Sequence, residues 1–168
     1  MKFFAKIGLI LIVPLSSGLT GCIKEQQYPV QPHIEFGSFA TSKDINGKDS
    51  LGAVTISYTD GDGDIGLYSW DTVEPRKYNF YLKFLQYVNK QLVEVKPVDS
   101  SLTFNSRIPI LTPSGRNKNI KGNITMALQL YFARQLLLTD TIAFEIYIKD
   151  RALNESNLVE TPMFIISK

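Results

Sequence analysis

A short acidic run is the most distinctive chemical feature of this 168-residue sequence. Asp60, Asp62 and Asp64 alternate with glycines in Asp60-Gly61-Asp62-Gly63-Asp64-Ile65-Gly66. Carboxylates this close repel one another unless a cation, hydrogen-bond donors or water compensate their charge. Hard Ca²⁺ prefers oxygen ligands, and alternating Asp residues supply several of them. The pattern predicts a Ca²⁺ site, with an acidic turn whose Asp side chains cap backbone amides as the alternative.

Two other loops are expected to lie near the acidic one. In the sandwich argued below, loops 60–77, 112–119 and 150–157 gather at one end. Asp150 and Glu155 could then add cation ligands. Arg116 and Lys118 would also lie close, and if they neutralise the Asp cluster no metal is needed. The sequence leaves both sources of compensation open.

Two aromatic residues, Tyr68 and Trp70, follow the acidic run. If exposed, they could stack on a sugar or anchor a protein partner, because aromatic side chains combine large contact area with low flexibility. The alternative is that Trp70, the only Trp in the chain, fills the core of its own domain.

The scarcity of Cys and His excludes several classes of site. With one residue of each type, Cys22 and His33, a disulfide framework, a zinc cluster, an Fe–S site and a haem pocket built on these residues are ruled out or nearly so. No catalytic residue is predicted. Without Lys2 and Lys6, which lie in a segment predicted to be removed, 16 basic side chains face 16 acidic ones. This balance argues against nucleic-acid binding.

Alternation of apolar and polar residues predicts an all-β domain over residues 34–168. The predicted strands are 34–39, 51–59, 78–88, 92–98, 102–111, 120–131, 141–149 and 158–166. Their number and spacing are typical of an immunoglobulin-like sandwich of two antiparallel sheets. Pro109 and Pro162 lack an amide donor, which predicts edge positions or bulges for their strands. Residues 131–138 also fit one face of a helix, so a short helix there is the alternative.

The first residues have the order of a secretory signal, with Lys2 and Lys6 followed by an apolar run and small residues. Leu19-Thr20-Gly21-Cys22 then resembles the lipobox of bacterial lipoproteins. This resemblance implies cleavage of a signal at 1–21 and acylation of Cys22, which anchors the chain in a lipid bilayer. A plain signal peptide with an incidental Cys is the alternative. Residues 22–33, rich in Gln and Pro, predict a flexible tether.

The sequence also resembles a wider group of lipoproteins. Segment 150–157 is similar to the closing loop of bacterial immunoglobulin-like domains, with Leu153 where that loop usually has Gly. With the acidic run and the lipobox, it resembles single-domain lipoproteins of the Bacteroidota whose function is uncharacterised. The resemblance implies secretion and a sandwich fold, and it brings no catalytic residues. Ile23 occupies the position after the Cys where an Asp would act as a retention signal, so the outer membrane is favoured. The protein would face either the periplasm or the cell surface.

Three functions are consistent with these features. We expect a non-enzymatic lipoprotein of the outer membrane that serves as a binding or accessory module. Its partner would be an envelope protein or a glycan. A glycan hydrolase that uses paired carboxylates and a structural subunit of an envelope complex are the alternatives.

Overall fold

The computed structural model describes residues 27–97, 103–111 and 119–168. The predicted signal at 1–21, the predicted lipidation site Cys22 and the loop residues Arg116 and Lys118 lie outside these ranges. The elements are β1 His33–Lys43, β2 Asp49–Asp60, β3 Phe80–Val88, β4 Gln91–Glu94, β5 Ile120–Leu128, α1 Leu130–Leu136, β6 Thr141–Ile148, β7 Val159–Glu160 and β8 Phe164–Ile165. Within the described ranges, no helix has the length and apolar character needed to span a bilayer.

Two antiparallel sheets form the domain, which confirms the predicted sandwich. One sheet has the order β1-β2-β5, and the other has the order β4-β3-β6 with β7 and β8 both paired to β6. The chain passes from one sheet to the other after β2, β4 and β5. These crossings give the Greek-key connectivity of an immunoglobulin-like sandwich.

The core lies between the inner faces of the two sheets. Val54 and Ile56 of β2 alternate with outward residues and are fully buried. Phe84 of β3 and Phe144 of β6 approach them from the second sheet, with ring centroids 5.1 Å apart and planes at 87°. Such edge-to-face contacts are favoured between aromatic rings, and burying each side chain contributes about 1.5–3 kcal/mol.

The tight turn predicted at Asn89-Lys90 joins β3 to β4. Both residues have positive φ, 50° and 68°, as a two-residue type I′ hairpin turn requires. The predicted central position of 78–88 is also correct, because β3 lies between β4 and β6.

The strand predicted at 102–111 is wrong. Of its described residues, Ser106 and Pro109 form only isolated bridges, to Phe80 and Leu67. Hydrogen bonds from the side chain of Asn79 replace a regular ladder here. This side chain accepts from the N–H of Ile108 at 2.6 Å and donates to the carbonyl of Ile108 at 3.3 Å. Pro109 has no amide donor, so it cannot supply a ladder hydrogen bond from its own nitrogen.

Other strand boundaries also differ from prediction, since β1 continues to Lys43 beyond the predicted 34–39 and β4 ends at Glu94, short of the predicted 92–98. Segment 158–166 forms two short strands, β7 and β8, because Pro162 lacks a donor and the hydroxyl of Thr161 accepts from the N–H of Phe144 at 3.0 Å. Strand 120–131 ends at Leu128 and is followed by α1, so the alternative helix near 131–138 is confirmed. Leu130 and Ala133, one turn apart, bury one face of that helix.

Candidate cation site

The acidic run begins at the last residue of β2 and meets the loop that follows β6. Oδ2 of Asp64 accepts a hydrogen bond from the N–H of Ala152 at 3.1 Å. The carbonyl of Asp64 accepts from the N–H of Arg151 at 3.3 Å. The predicted meeting of loops 60–77 and 150–157 at one end of the sandwich is therefore confirmed.

Three Asp side chains converge in this loop. Asp60, Asp62 and Asp64 each offer a carboxylate oxygen, and these oxygens all lie within 4.8 Å of one another. Oδ1 of each residue is buried and has no hydrogen-bond partner, and Asp60 is 0% exposed. Ca²⁺ binds oxygen at about 2.3–2.6 Å, so two oxygens on one ion are at most about 5.2 Å apart. The cluster has the dimensions and donor chemistry of a hard-cation site.

The electrostatics of the cluster are unfavourable without a cation. Burial, and then the negative charge of Asp62, raise the pKa of Asp60 to about 7 from an ordinary value of 3.8. Burial, followed by the charge of Asp150, also raises the pKa of Asp64. Within the described ranges, no Lys or Arg side chain forms an ion pair with the three Asp residues, although the charge of Arg151 partly offsets the rise in the pKa of Asp64. A bound cation would remove the repulsion and favour the charged carboxylates.

The glycines of the run permit its close packing. The N–H of Gly61 donates to the carbonyl of Pro29 at 2.8 Å, and a Cβ on Gly61 would lie 2.2 Å from the carbonyl oxygen of Tyr28. Gly63 has a φ of +65°, a conformation that residues with a side chain rarely adopt. Alternating Gly and Asp therefore lets the chain curl against a neighbouring segment while alternate side chains converge.

That neighbouring segment is part of the predicted tether 22–33. Besides its contact with Gly61, it donates from the N–H of Tyr28 to Oδ1 of Asn119 at 2.8 Å. Nε2 of Gln31 donates to the carbonyl of Glu155 at 2.6 Å. Residues 28–31 thus pack on the domain, at the end that carries the acidic loop.

The other two predicted ligands lie outside the group of three. Asp150 is buried, and its Oδ1 and Oδ2 accept from the N–H and Nδ2 of Asn154, both at 2.8 Å. It acts on the cluster through its charge, which raises the pKa of Asp64. Oε1 of Glu155 lies 2.8 Å from Nζ of Lys149 in an ion pair. The structure therefore brings together three of the five predicted ligands.

Tyr68 and Trp70 form an exposed aromatic pair on the same loop. Their rings are stacked, with centroids 4.6 Å apart and planes at 6°. Trp70 is 72% exposed and Tyr68 41%, so Trp70 does not fill the core. The guanidinium of Arg151 lies over the Tyr68 ring, 5.3 Å from its centroid, and donates to the carbonyl of Gly66 at 3.0 Å. Arg151 thereby links the aromatic pair to the acidic loop.

Sequence reasoning missed the residue that holds the aromatic loop in place. The guanidinium of Arg107 donates to the carbonyls of Tyr68 and Lys77, both at 2.8 Å, and to that of Asp71. Arg76 assists by donating to the carbonyl of Arg151 from Nε and Nη2, at 3.1 and 2.8 Å. Every residue has a carbonyl, so the sequence carries no signal for contacts of this kind.

Comparisons of the chain with models of protein families, with curated proteins and with solved structures find no match.

Proposed function

We propose that this chain is a lipid-anchored binding module of the bacterial outer membrane whose acidic loop binds Ca²⁺. The calcium site is supported by the geometry of Asp60, Asp62 and Asp64, which each place a carboxylate oxygen within 4.8 Å of the others and each have a buried Oδ1 without a partner. The anchor is supported by the sequence, in which the only Cys ends the lipobox-like Leu19-Thr20-Gly21-Cys22. The exposed pair of Tyr68 and Trp70 supports a binding role.

Ca²⁺ is the cation that suits the cluster. Its ligands are oxygens in a flexible geometry, and Asp carboxylates provide them here together with compensating charge. Calcium sites of extracellular modules typically bind with dissociation constants of about 10⁻⁴–10⁻³ M. An affinity in this range is expected for three Asp ligands in a loop between strands.

The same geometry argues against the hydrolase alternative. Paired catalytic carboxylates flank a glycosidic bond at separations of about 5–9.5 Å and must contact the sugar. In this loop the carboxylate oxygens converge within 4.8 Å, and Asp60 is fully buried. This arrangement favours an ion over a sugar as the ligand of the cluster.

The calcium site is tested by thermal unfolding of the full chain carrying Cys22→Ala, which prevents acylation. Melts in millimolar CaCl₂ and in EDTA are compared at matched ionic strength. At free Ca²⁺ ten times the dissociation constant, binding adds about 1.4 kcal/mol to the free energy of unfolding. For a domain of this size, that raises the melting temperature by a few degrees.

Asp62→Asn is the matched variant, because it keeps the size of the side chain and removes its charge. The calcium-dependent rise should be lost in this variant. An unchanged midpoint in the parent protein would contradict the site. Charge compensation by Arg116 and Lys118 would then be expected, and replacing both with Gln should destabilise the chain more at low salt than at high salt.

The anchor is tested separately by detergent phase partitioning of the protein from membranes. The natural chain should enter the detergent phase, because several acyl chains together bind a bilayer stably. Cys22→Ala should move the protein to the aqueous phase. Continued partitioning into detergent of Cys22→Ala protein from which residues 1–21 have been removed would show that the lipobox interpretation is wrong.

A further inference from the structure

The chain enters the folded domain at the end that carries the acidic loop. The N–H of Tyr28 donates a hydrogen bond to Asn119, just before β5. The carbonyl of Pro29 accepts a hydrogen bond from Gly61, just after β2. These contacts fix the entry point, because β2 ends where β5 begins, with Asp60 paired to Ile120.

The connection from the proposed anchor to this entry point is short. Five residues lie between Cys22 and Tyr28, and the six Cα–Cα steps between the two residues span at most about 22 Å when fully extended. The 12 residues of β2 extend over about 40 Å along the domain. Because the connection is shorter than the domain, a lipidated Cys22 holds the entry end of the domain, and not its opposite end, near the bilayer.

The aromatic pair lies at this same end. Trp70 is 72% exposed, and the nearby Val73 is 74% exposed. The carbonyl contacts of Arg107 hold the backbone of Tyr68 and Asp71, so the exposure of the pair is built into the fold. Trp and Tyr are the side chains enriched where a bilayer meets water, because each combines an apolar ring with a polar group.

Charge does not oppose contact between this loop and lipid. Residues 68–78 contain two acidic and two basic side chains, which balance. In the acidic cluster, Asp60 is buried and Asp62 and Asp64 are each partly buried.

We infer that the loop carrying Tyr68 and Trp70 contacts the bilayer that holds the acylated Cys22, with the indole of Trp70 in the headgroup region. This inference rests on the proposed lipid anchor and is independent of the calcium site. The anchor keeps the loop at high local concentration beside the lipid, so even a small aromatic contact area is sufficient. The contact sets the orientation of the domain and leaves its opposite end, with α1, facing away from the membrane.

Because Trp70 is the only Trp in the chain, its fluorescence reports on this loop alone. The natural protein, cleaved before Cys22 and acylated there, is reconstituted into phosphatidylcholine–phosphatidylglycerol vesicles with and without brominated acyl chains, and vesicle flotation is recorded. Brominated lipid should quench Trp70, and its emission should shift to shorter wavelength relative to Cys22→Ala protein mixed with the same vesicles. The quenching should persist at high salt, because the loop is balanced in charge.

A matched control moves the only Trp to the opposite end. The double variant Trp70→Phe, Tyr131→Trp places it on α1, where Tyr131 is 49% exposed. This variant should float with the vesicles and show no quenching by brominated lipid. Quenching of equal strength in the two proteins would overturn the inferred orientation.

The remaining outcomes separate the two proposals. If the acylated chain floats but Trp70 is not quenched and stays accessible to acrylamide, the inference is wrong and the anchor stands. Trp70 would then be free for a glycan or a protein partner. If the chain does not float, the anchor is wrong and the inferred membrane contact is overturned with it.

Discussion

The N–H of Asp64 donates a hydrogen bond of 2.9 Å to Oδ2 of Asp60, so one acidic residue of the loop positions the next. The second oxygen of Asp60, Oδ1, is buried and has no partner. The loop therefore uses half of this carboxylate to shape its backbone, and the other half is available to a cation.

In EDTA, the contribution of Asp60 to the free energy of unfolding is expected to fall as the pH rises from about 4 to about 7. Burial and the charge of Asp62 raise the pKa of Asp60 to about 7 in the folded chain. Between these pH values the folded state retains a proton that the unfolded state has released. The free-energy penalty for ionising Asp60 in the folded state is absent below about pH 4 and complete above about pH 7.

The measurement is the urea midpoint as a function of pH, compared between the parent protein and Asp60→Asn. The variant can still accept the hydrogen bond from Asp64 but does not titrate. The stability difference between the two proteins should change across this range in EDTA. A difference that is constant with pH would contradict the raised pKa.

Glu155→Gln should leave the response to calcium intact. In the structure Glu155 pairs with Lys149 and lies outside the cluster, so its charge is not needed for binding. The loss of this partly exposed ion pair should cost no more than about 1 kcal/mol. Melts in CaCl₂ and EDTA provide the test, with Asp62→Asn as the variant that should lose the response. Loss of the response in Glu155→Gln would make Glu155 a ligand after all.

Leu153→Gly should stabilise the protein by up to about 1 kcal/mol. Leu153 has a φ of +71°, where a residue with a side chain pays about 1–2 kcal/mol in steric strain. The gain is reduced because Gly loses more backbone entropy on folding. Chemical unfolding measures the change, and Leu153→Ala is the control, since it keeps the Cβ responsible for the strain. Equal effects of the two substitutions would contradict this explanation.

Arg107→Lys should destabilise the chain by about 1–3 kcal/mol, despite keeping the charge. One ammonium group cannot reproduce the planar fork that reaches the carbonyls of Tyr68, Asp71 and Lys77. The emission of Trp70 should also change as its loop loosens. Lys96→Gln is the control, since that side chain is 79% exposed and lies 4.0 Å from Glu94. If Arg107→Lys behaves like this control, the positioning role of Arg107 is wrong.

The sequence alone was sufficient for features set by neighbouring residues. The alternation of Val54 and Ile56 with polar residues predicted β2, because successive side chains of a strand point to opposite faces. Asn89-Lys90 predicted a tight turn, and both residues have the positive φ that such a turn requires. The spacing of Asp60, Asp62 and Asp64 predicted a common ligand region for the same local reason, since alternate side chains of a curled loop converge.

Only the tertiary structure decided which distant groups meet. Glu155 pairs with Lys149, and Arg107 bonds to carbonyls more than 29 residues away. Residues near 106–109 bond to Asn79 and do not form a strand, although their local pattern suits one. Residues 28–31 pack on the domain through the N–H of Gly61 and the side chain of Asn119. Such contacts depend on how the two sheets pack, and packing brings together groups that no local pattern in the sequence relates.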